Sequence, residues 1–549
     1  DLEKKSMRKY GLYLLIAVGL LAGCQKKYTA MDTTTAQTSA EETKTTESAK
    51  VTVPEESKTS GETDAKEPES TGKLDPIPIA VTGEYDGEWD DSQTPIITSR
   101  CDRVFVQGDG YEALKSALSA KNDEMAAAHK KEYEEYKVEA IDMRKEFTDA
   151  KFTYACNYEF QPIRFDGAVA SMSWLKYYDM GGAHPTAYND YYNFDTQTGK
   201  QLELSDMVKD MDGFRSYVKE ELAGRAADGE LFDGYEDTVD TLFDGTNADS
   251  SLEWAITENG VSVYFAPYEI GPYAAGEIEI AVPFKDHELM FEEAYMGAST
   301  DGWAKKVDPW DTVTYRSGDV DASVCYTYEE PETEDDFTRK LTIEREQNGK
   351  KDTFTEEVYG KIGDTWLVMT DDERSYLYME LSSENDWKTM EVYDLNGEKV
   401  AKAGSSTDSV NGAPIQTPDA FYLTRRIDAL GTYSAYRKFH VGADGMPEAD
   451  GNVYTKIRTA DSHEDEMPLV STRALPVTLF GADGSETEAT MPVGTKFYVR
   501  ATDEETFVDM ELEDGRKCRI AVRQSGDGWG FLIDGVSEEE CFEFVPYAG

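Results

Sequence analysis

Histidine is nearly missing from this chain: 549 residues hold five, His129, His184, His287, His440 and His463. No two stand at the H-x-x-x-H spacing that puts two imidazoles on one helical face for a metal, and no G-x-S-x-G nucleophile elbow occurs. Cysteine is scarce as well, six residues without a C-x-x-C pair, so the common zinc-ribbon and thiol-redox patterns are absent. Positive charge is short: 55 Lys plus Arg against 110 Asp plus Glu leave a formal net charge of -55. Such an excess repels phosphate backbones and anionic lipid, and it suits cationic proteins, peptides or divalent metals, or simply a well-solvated surface. The apolar run Gly11 to Gly23, GLYLLIAVGLLAG, is too short for a membrane-spanning helix, which takes ~20 apolar residues.

That run does have a use. Preceded by Met7-Arg8-Lys9, it reads as the h-region of a signal peptide, with Asp1 to Ser6 as an upstream extension. It ends in Leu21-Ala22-Gly23-Cys24, which resembles a bacterial lipobox. The resemblance implies lipidation of the Cys24 thiol, removal of the residues before it, and a chain held to the outer face of the cell membrane by acyl groups. Residues 25–75 are rich in Thr, Ser, Glu and Lys and nearly free of aromatics, so they read as a disordered tether with a span of roughly 40 Å. The tether is almost neutral. Nearly all the acidity falls in the residues beyond it.

The remainder reads as an α+β domain, 76–300, then an all-β region. Strand-like segments Ile77 to Val81, Ile96-Ile97 and Val104 to Val106 lead through Gly108-Asp109-Gly110 into a long helix, Tyr111 to Phe147. Its apolar stripe, Leu114, Ala117, Leu118, Met125, Tyr133, Tyr136, Ala140, Met143 and Phe147, is aromatic and irregular, which suits packing across a sheet better than a coiled coil. Strands return at Phe152 to Phe160 and Gly167 to Tyr178. Further on, Thr198-Gly199 reads as a hairpin tip, Ser205 as the N-cap of a helix to about Gly224, and Leu231 to Phe243 as another helix. Asn259-Gly260 reads as a type I′ turn between Trp254–Thr257 and Val261–Phe265, and Ile278, Ile280 and Val282 alternate on one face of a last strand. Residues 301–470 carry many short alternating strands, suiting a sandwich or propeller-like blades. In 471–549, Met491 to Thr495, the strands that follow and Trp529 resemble a small SH3-like barrel.

Taken in order, Gly181-Gly182-Ala183-His184-Pro185, Asn193 to Lys200, Leu204 to Met207 and YFAPYEIGPYAAGEIEIAVPF (Tyr264 to Phe284) resemble one family. It is the extracellular domain shared by RsiV-type anti-sigma factors, which sense lysozyme, and PdaC-type peptidoglycan deacetylases. The resemblance spans about 76–300 and is most specific at Tyr268, Pro272, Tyr273, Ala274, Ala275 and Gly276. It implies a ligand-binding domain outside the cell, with lysozyme, another cationic protein or peptidoglycan as partner, and Tyr268, Tyr273 and His184 as candidate binding residues. The sigma-binding segment and transmembrane helix of RsiV-type proteins and the metal-binding pattern of PdaC-type deacetylases have no counterpart here. The expectation is therefore a non-catalytic domain without cofactor, the alternative being a cell-wall hydrolase in which His184, His287 and carboxylates share a cleft. Asp206, Asp210 and Asp212 could suggest calcium, but acids at a helix start also suit its dipole. Outside the membrane disulfides are permitted, and Cys101 with Cys156 and Cys518 with Cys541 are the pairs that share a region, leaving Cys325 over.

Overall fold

A computed structural model describes residues 75–147, 152–227, 229–245, 252–297, 302–317, 320–331, 333, 336–384, 387–459, 466–526 and 530–548. Cys24 with the signal sequence, the tether, His463 and Trp529 lie outside the described residues.

Five strands form the first sheet, in chain order: β1 (Ile79–Trp89), β2 (Pro95–Val106), β3 (Tyr154–Phe165), β4 (Val169–Asp179) and β5 (Thr186–Asp195). All neighbours are antiparallel except β2 and β3. A parallel pair needs a long crossover, and the expected helix supplies it as α1 (Glu112–Glu146). Its stripe is buried as the spacing requires, with Leu114, Leu118, Met125, Tyr133 and Ala140 against the sheet; Phe147 falls just past its end and is exposed. Burying a Leu or Met of that stripe contributes roughly 1.5–3 kcal/mol. Two polar residues on the same face are satisfied by β-strand backbone. The Asn122 amide bonds both the N–H and the C=O of Val104 (3.0 and 2.8 Å), and a His129 ring nitrogen lies 3.0 Å from the Cys156 carbonyl.

A second core lies beside the first. One helical turn α2 (Leu204–Met207) and the helices α3 (Met211–Ala227) and α4 (Tyr235–Asp244) pack on a small antiparallel sheet of β6 (Glu253–Ile256), β7 (Gly260–Phe265) and β8 (Ile278–Pro283). Phe214, Val218 and Leu222 of α3 meet Val261, Val263, Ile278, Ile280 and Val282, the alternating face expected of the last strand.

Three local expectations need correction. Glu203, not Ser205, caps α2: its backbone N–H donates to the Asp206 carboxylate at 2.9 Å, two residues into the helix that Ser205 was to begin. The β6–β7 turn is not type I′, since neither Asn259 nor Gly260 has a positive φ. Glycine is needed at 260 for a different reason: a Cβ there would overlap the Val282 carbonyl of β8. Third, Cys101, Cys156, Cys325, Cys518 and Cys541 are all free thiols. Cys156 stands opposite Ser99, while Cys101 stands two residues on, opposite Tyr158. That diagonal puts the two Cα atoms about 8 Å apart, beyond disulfide reach. Cys541 ends a short helical turn and its thiol points to the Val536 carbonyl (3.9 Å) rather than to Cys518.

The C-terminal region is all β. A meander of β10 (Val313–Ser317), β11 (Val320–Glu329), β12 (Thr338–Gln347) and β13 (Lys350–Tyr359) packs face to face on a second sheet. That sheet holds β9 (Trp303–Lys306), β14 (Lys361–Met369), β15 (Ser375–Ser382), β16 (Lys388–Asp394) and β17 (Ala401–Ser406). The two make a sandwich, one of the expected forms. Strand β15 is buried on both faces, because β18 (Phe421–Asp428) and β19 (Thr432–Val441) cover its other side; this is why Tyr376 to Leu381 reads as a nearly unbroken apolar run. The strands from Pro447 to Ala521 join β18 and β19 in one open ten-stranded sheet, so they form no closed barrel, and three short strands from Arg523 to Ser537 pair among themselves. Strands beyond residue 470 pair among themselves, but Ala501 and Thr502 also pair with Thr455 and Tyr454, which continues the sheet back to β19 instead of closing it.

The α+β part is not isolated from this region. Ala413 belongs to the first core, and the Gln416 amide donates to the Phe165 carbonyl at the end of β3. The Gln107 side chain bonds both the N–H and the C=O of Arg458, each at 2.8 Å. Among the described residues no helix is long and apolar enough to cross a membrane.

Candidate functional site

Two connections, β4 to β5 and β7 to β8, bring the expected residues together. After β4 the chain turns at Gly181, φ 70°, with the Phe152 ring against its α-carbon, and Pro185 sends the chain into β5. After β7 the turn is tighter. Tyr268 takes a left-handed φ of 71°, its N–H donating to the Gly271 carbonyl at 3.1 Å, and a single 3-10 turn, Tyr273–Ala275, ends at Gly276 with φ 68°. Left-handed backbone costs a non-glycine residue roughly 1–2 kcal/mol, so the turn holds Tyr268 at some expense.

The result is a three-ring cluster. His184 stacks on Tyr273 with centroids 4.0 Å apart, Tyr268 tilts against both at 6.3 and 5.6 Å, and the Tyr268 hydroxyl is 3.4 Å from His184 Nε2. Tyr273 donates its hydroxyl to the Pro185 carbonyl (3.1 Å), which also lies 2.9 Å from His184 Nδ1. His184 and Tyr268 are exposed, Tyr268 at 43%, so the cluster is a surface and not core filling.

Further along β5 lies a second group of side chains that sequence reasoning did not find. Tyr191 of β5 and Tyr264 of β7 stack almost parallel, centroids 4.0 Å apart. Tyr191 donates to Glu277 at 2.8 Å, and the Asn189 amide reaches both oxygens of the same carboxylate at 3.2 Å. Ser262 donates to Glu279 at 2.7 Å. Burial raises the Glu277 pKa above the usual carboxylate value, with the Tyr191 and Asn189 hydrogen bonds opposing the shift. Among the described residues Glu277 has hydrogen-bond donors and no ion pair, so its charge is held without being neutralised. A signal for this group was present: with Ile278 and Ile280 facing the core, alternation sends Glu277 and Glu279 to the opposite face.

The other described histidines do not join the cluster. His129 lies on the buried face of α1, His287 meets Tyr217 edge-on at 5.0 Å, and His440 bonds Asp450 at 2.7 Å. Two surface hollows, one lined by Trp387, Lys388 and Arg425 and one by Tyr315, Asp321 and Glu346, lie away from His184 and His287. Asp206 accepts from Lys200 and the Glu203 N–H, and Asp210 from the Gly213 N–H at the start of α3. Among the described residues no group of three or more metal-ligating side chains comes together.

Residues 205–285 match a family model described as a protein of unknown function, DUF3298. Among solved structures the chain is similar to a member of that family from Bacteroides fragilis NCTC 9343, at 16% identity over 40% of this chain and 94% of that one, with a TM-score of 0.31. It is also similar to a DUF3298 family protein from Pseudomonas aeruginosa PAO1, at 15% identity over 41% of this chain and 100% of that one, with a TM-score of 0.30. No curated protein matches. The stretch similar to the DUF3298 family, residues 205–285, contains Tyr264, Tyr268, Tyr273, Glu277 and Glu279, while His184, Asn189 and Tyr191 precede it.

Proposed function

We propose that this chain is a membrane-anchored bacterial lipoprotein facing outside the cell, and that its region 76–300 is a non-catalytic ligand-binding domain of the RsiV- and PdaC-like kind. Its ligand is a cationic protein such as lysozyme. The observation that carries the reading is the exposed cluster of His184, Tyr268 and Tyr273, with the unneutralised Glu277 bonded further along β5. Rigid rings with polar tips supply contact area at little entropy cost, and a carboxylate held by neutral donors attracts a Lys or Arg from the partner. The net charge of -55 adds long-range steering toward a basic protein. Strain at Tyr268 supports the same reading, since a turn built for stability alone would carry glycine there.

Hydrogen exchange on the full chain, with and without hen lysozyme, tests this. Protection should appear in the segments around His184 and from Ala266 to Gly276. Protection confined to the C-terminal sheets, or none at saturating lysozyme, contradicts the assignment.

A further inference from the structure

The face of the first sheet turned away from α1 carries a second row of side chains. Tyr158 meets α1 through His129 and Glu132, so its neighbour Asn157 points to the opposite face. In register with Asn157 stand Arg100 on β2 and Tyr177 on β4, and Tyr85 of β1 stands opposite Arg100. Tyr85, Arg100, Asn157 and Tyr177 thus form one line across four strands, about 14 Å long at the usual strand spacing. None of the four is buried.

The aromatic end of this line has an unusual construction. Tyr85 and Trp89 are 73% and 49% exposed, at one edge of the sheet. Neither ring stands upright. A Cβ at Gly83 would come within 3.0 Å of the Tyr85 ring, and one at Gly87 within 2.7 Å of the Trp89 ring. Both rings therefore lean along β1, each over a glycine, and stay largely open to solvent. Glycine weakens a strand, so two of them beneath two exposed rings serve the ring orientation. Beside Tyr85 the Arg100 guanidinium sits 5.7 Å from the ring centroid, fixed through Nε and Nη2 to the buried Asp102 at 2.7 and 3.1 Å. Its Nη1 has no partner among the described residues. Asn157 in turn donates to Glu159 at 3.1 Å.

We infer that this face binds a neutral, hydroxyl-rich glycan chain laid across β1 to β4. A sugar ring presents a flat face of weakly positive C–H groups, and the negative face of a flat Tyr or Trp ring attracts them. Its hydroxyls, each donor and acceptor, match the mixed Arg100, Asn157 and Glu159 edge. Charge excludes an anionic chain: Arg100 is already neutralised by Asp102, and the net charge of -55 repels polyanions. A protein partner would want upright anchors entering pockets, and rings leaning along a strand offer none. The site shares no residue with the His184 cluster.

The test uses the full chain, with a soluble chitin oligosaccharide as probe, calorimetry for affinity and thermal melting as a control on folding. Saturable binding is expected. Tyr85→Ala and Trp89→Ala should each weaken it roughly two- to tenfold, the range a ring contact commands. Tyr85→Phe, which keeps the flat ring, should bind within about twofold of the parent. Lysozyme affinity should stay unchanged in all three, which separates failure here from failure of the protein-binding site. The inference is overturned if the parent does not bind the oligosaccharide, or if a folded double Ala variant binds it as the parent does. It is equally overturned if the Ala variants lose lysozyme and keep the sugar, since the face would then be a protein contact.

Discussion

The imidazole of His184 lies on the ring of Tyr273, centroids 4.0 Å apart and planes 23° from parallel, although the two residues come from different strand connections. Each loop is therefore positioned by the other, and the Pro185 carbonyl, bonded by Tyr273, closes the arrangement. A substitution on either loop should disturb binding by the other.

Tyr268 separates function from stability. Because its φ of 71° suits glycine, Tyr268→Gly should relieve about 1 kcal/mol of strain and leave the melting temperature equal or slightly raised. The same variant should lose much of its affinity for lysozyme. A variant that melts well below the parent would show instead that the ring serves the fold.

Glu258, in the β6–β7 turn, predicts a pH dependence. Burial raises its pKa from 4.5 to about 7, with the Arg164 charge opposing and Asp166 adding to the rise. Arg164 is 3.9 Å away and already bonded to Asp166 at 2.7 Å. A carboxyl with a folded pKa above its unfolded value binds its proton more tightly in the folded state. Stability is then fully present below about pH 4.5 and is lost as pH rises toward 7. Glu258→Gln should remove that loss, gaining on the order of 1–3 kcal/mol at pH 8 over pH 4 relative to the parent. Parallel denaturation curves at the two pH values would refute the assignment.

Ala413 and the Gln107–Arg458 pair set an expectation for dissection. Residues 76–300 have a core of their own, but in isolation they would expose the patch that Ala413 covers and leave Gln107, 5% exposed in the chain, without its backbone partners. The fragment should fold and melt below the full chain, and Gln107→Ala in the full chain should cost about 1–3 kcal/mol by chemical denaturation. A fragment as stable as the whole would show these contacts to be incidental.

The proposed anchor depends on one thiol. Cys24→Ser should abolish incorporation of labelled fatty acid and processing at that position, and unchanged labelling would remove the lipoprotein reading.

Local pattern carried much of this fold. The long helix was legible to within a residue at each end, because Gly108 and Gly110 punctuate its start and its stripe repeats at helical spacing. The strand of Ile278, Ile280 and Val282 was legible from alternation. Long-range closeness was not. Ala413 entering the first core, the offset that parts Cys101 from Cys156, and the carbonyl crowding that demands Gly260 all depend on how separate segments meet. The candidate site divides the same way. Tyr268, Tyr273 and His184 stood out by family pattern, while the bonds from Asn189 and Tyr191 of β5 to Glu277, just before β8, depend on how the two sheets meet.

Calorimetric titration of hen lysozyme into the full chain tests the central claim most directly, run at 0.1 and 1 M salt on the parent and on Tyr273→Ala. Salt shortens the Debye length from ~10 to ~3 Å, so parent affinity should fall steeply, while Tyr273→Ala should bind weakly at low salt and melt within a few degrees of the parent. A parent that does not bind lysozyme, or a folded Tyr273→Ala that binds it as tightly as the parent, would contradict the account.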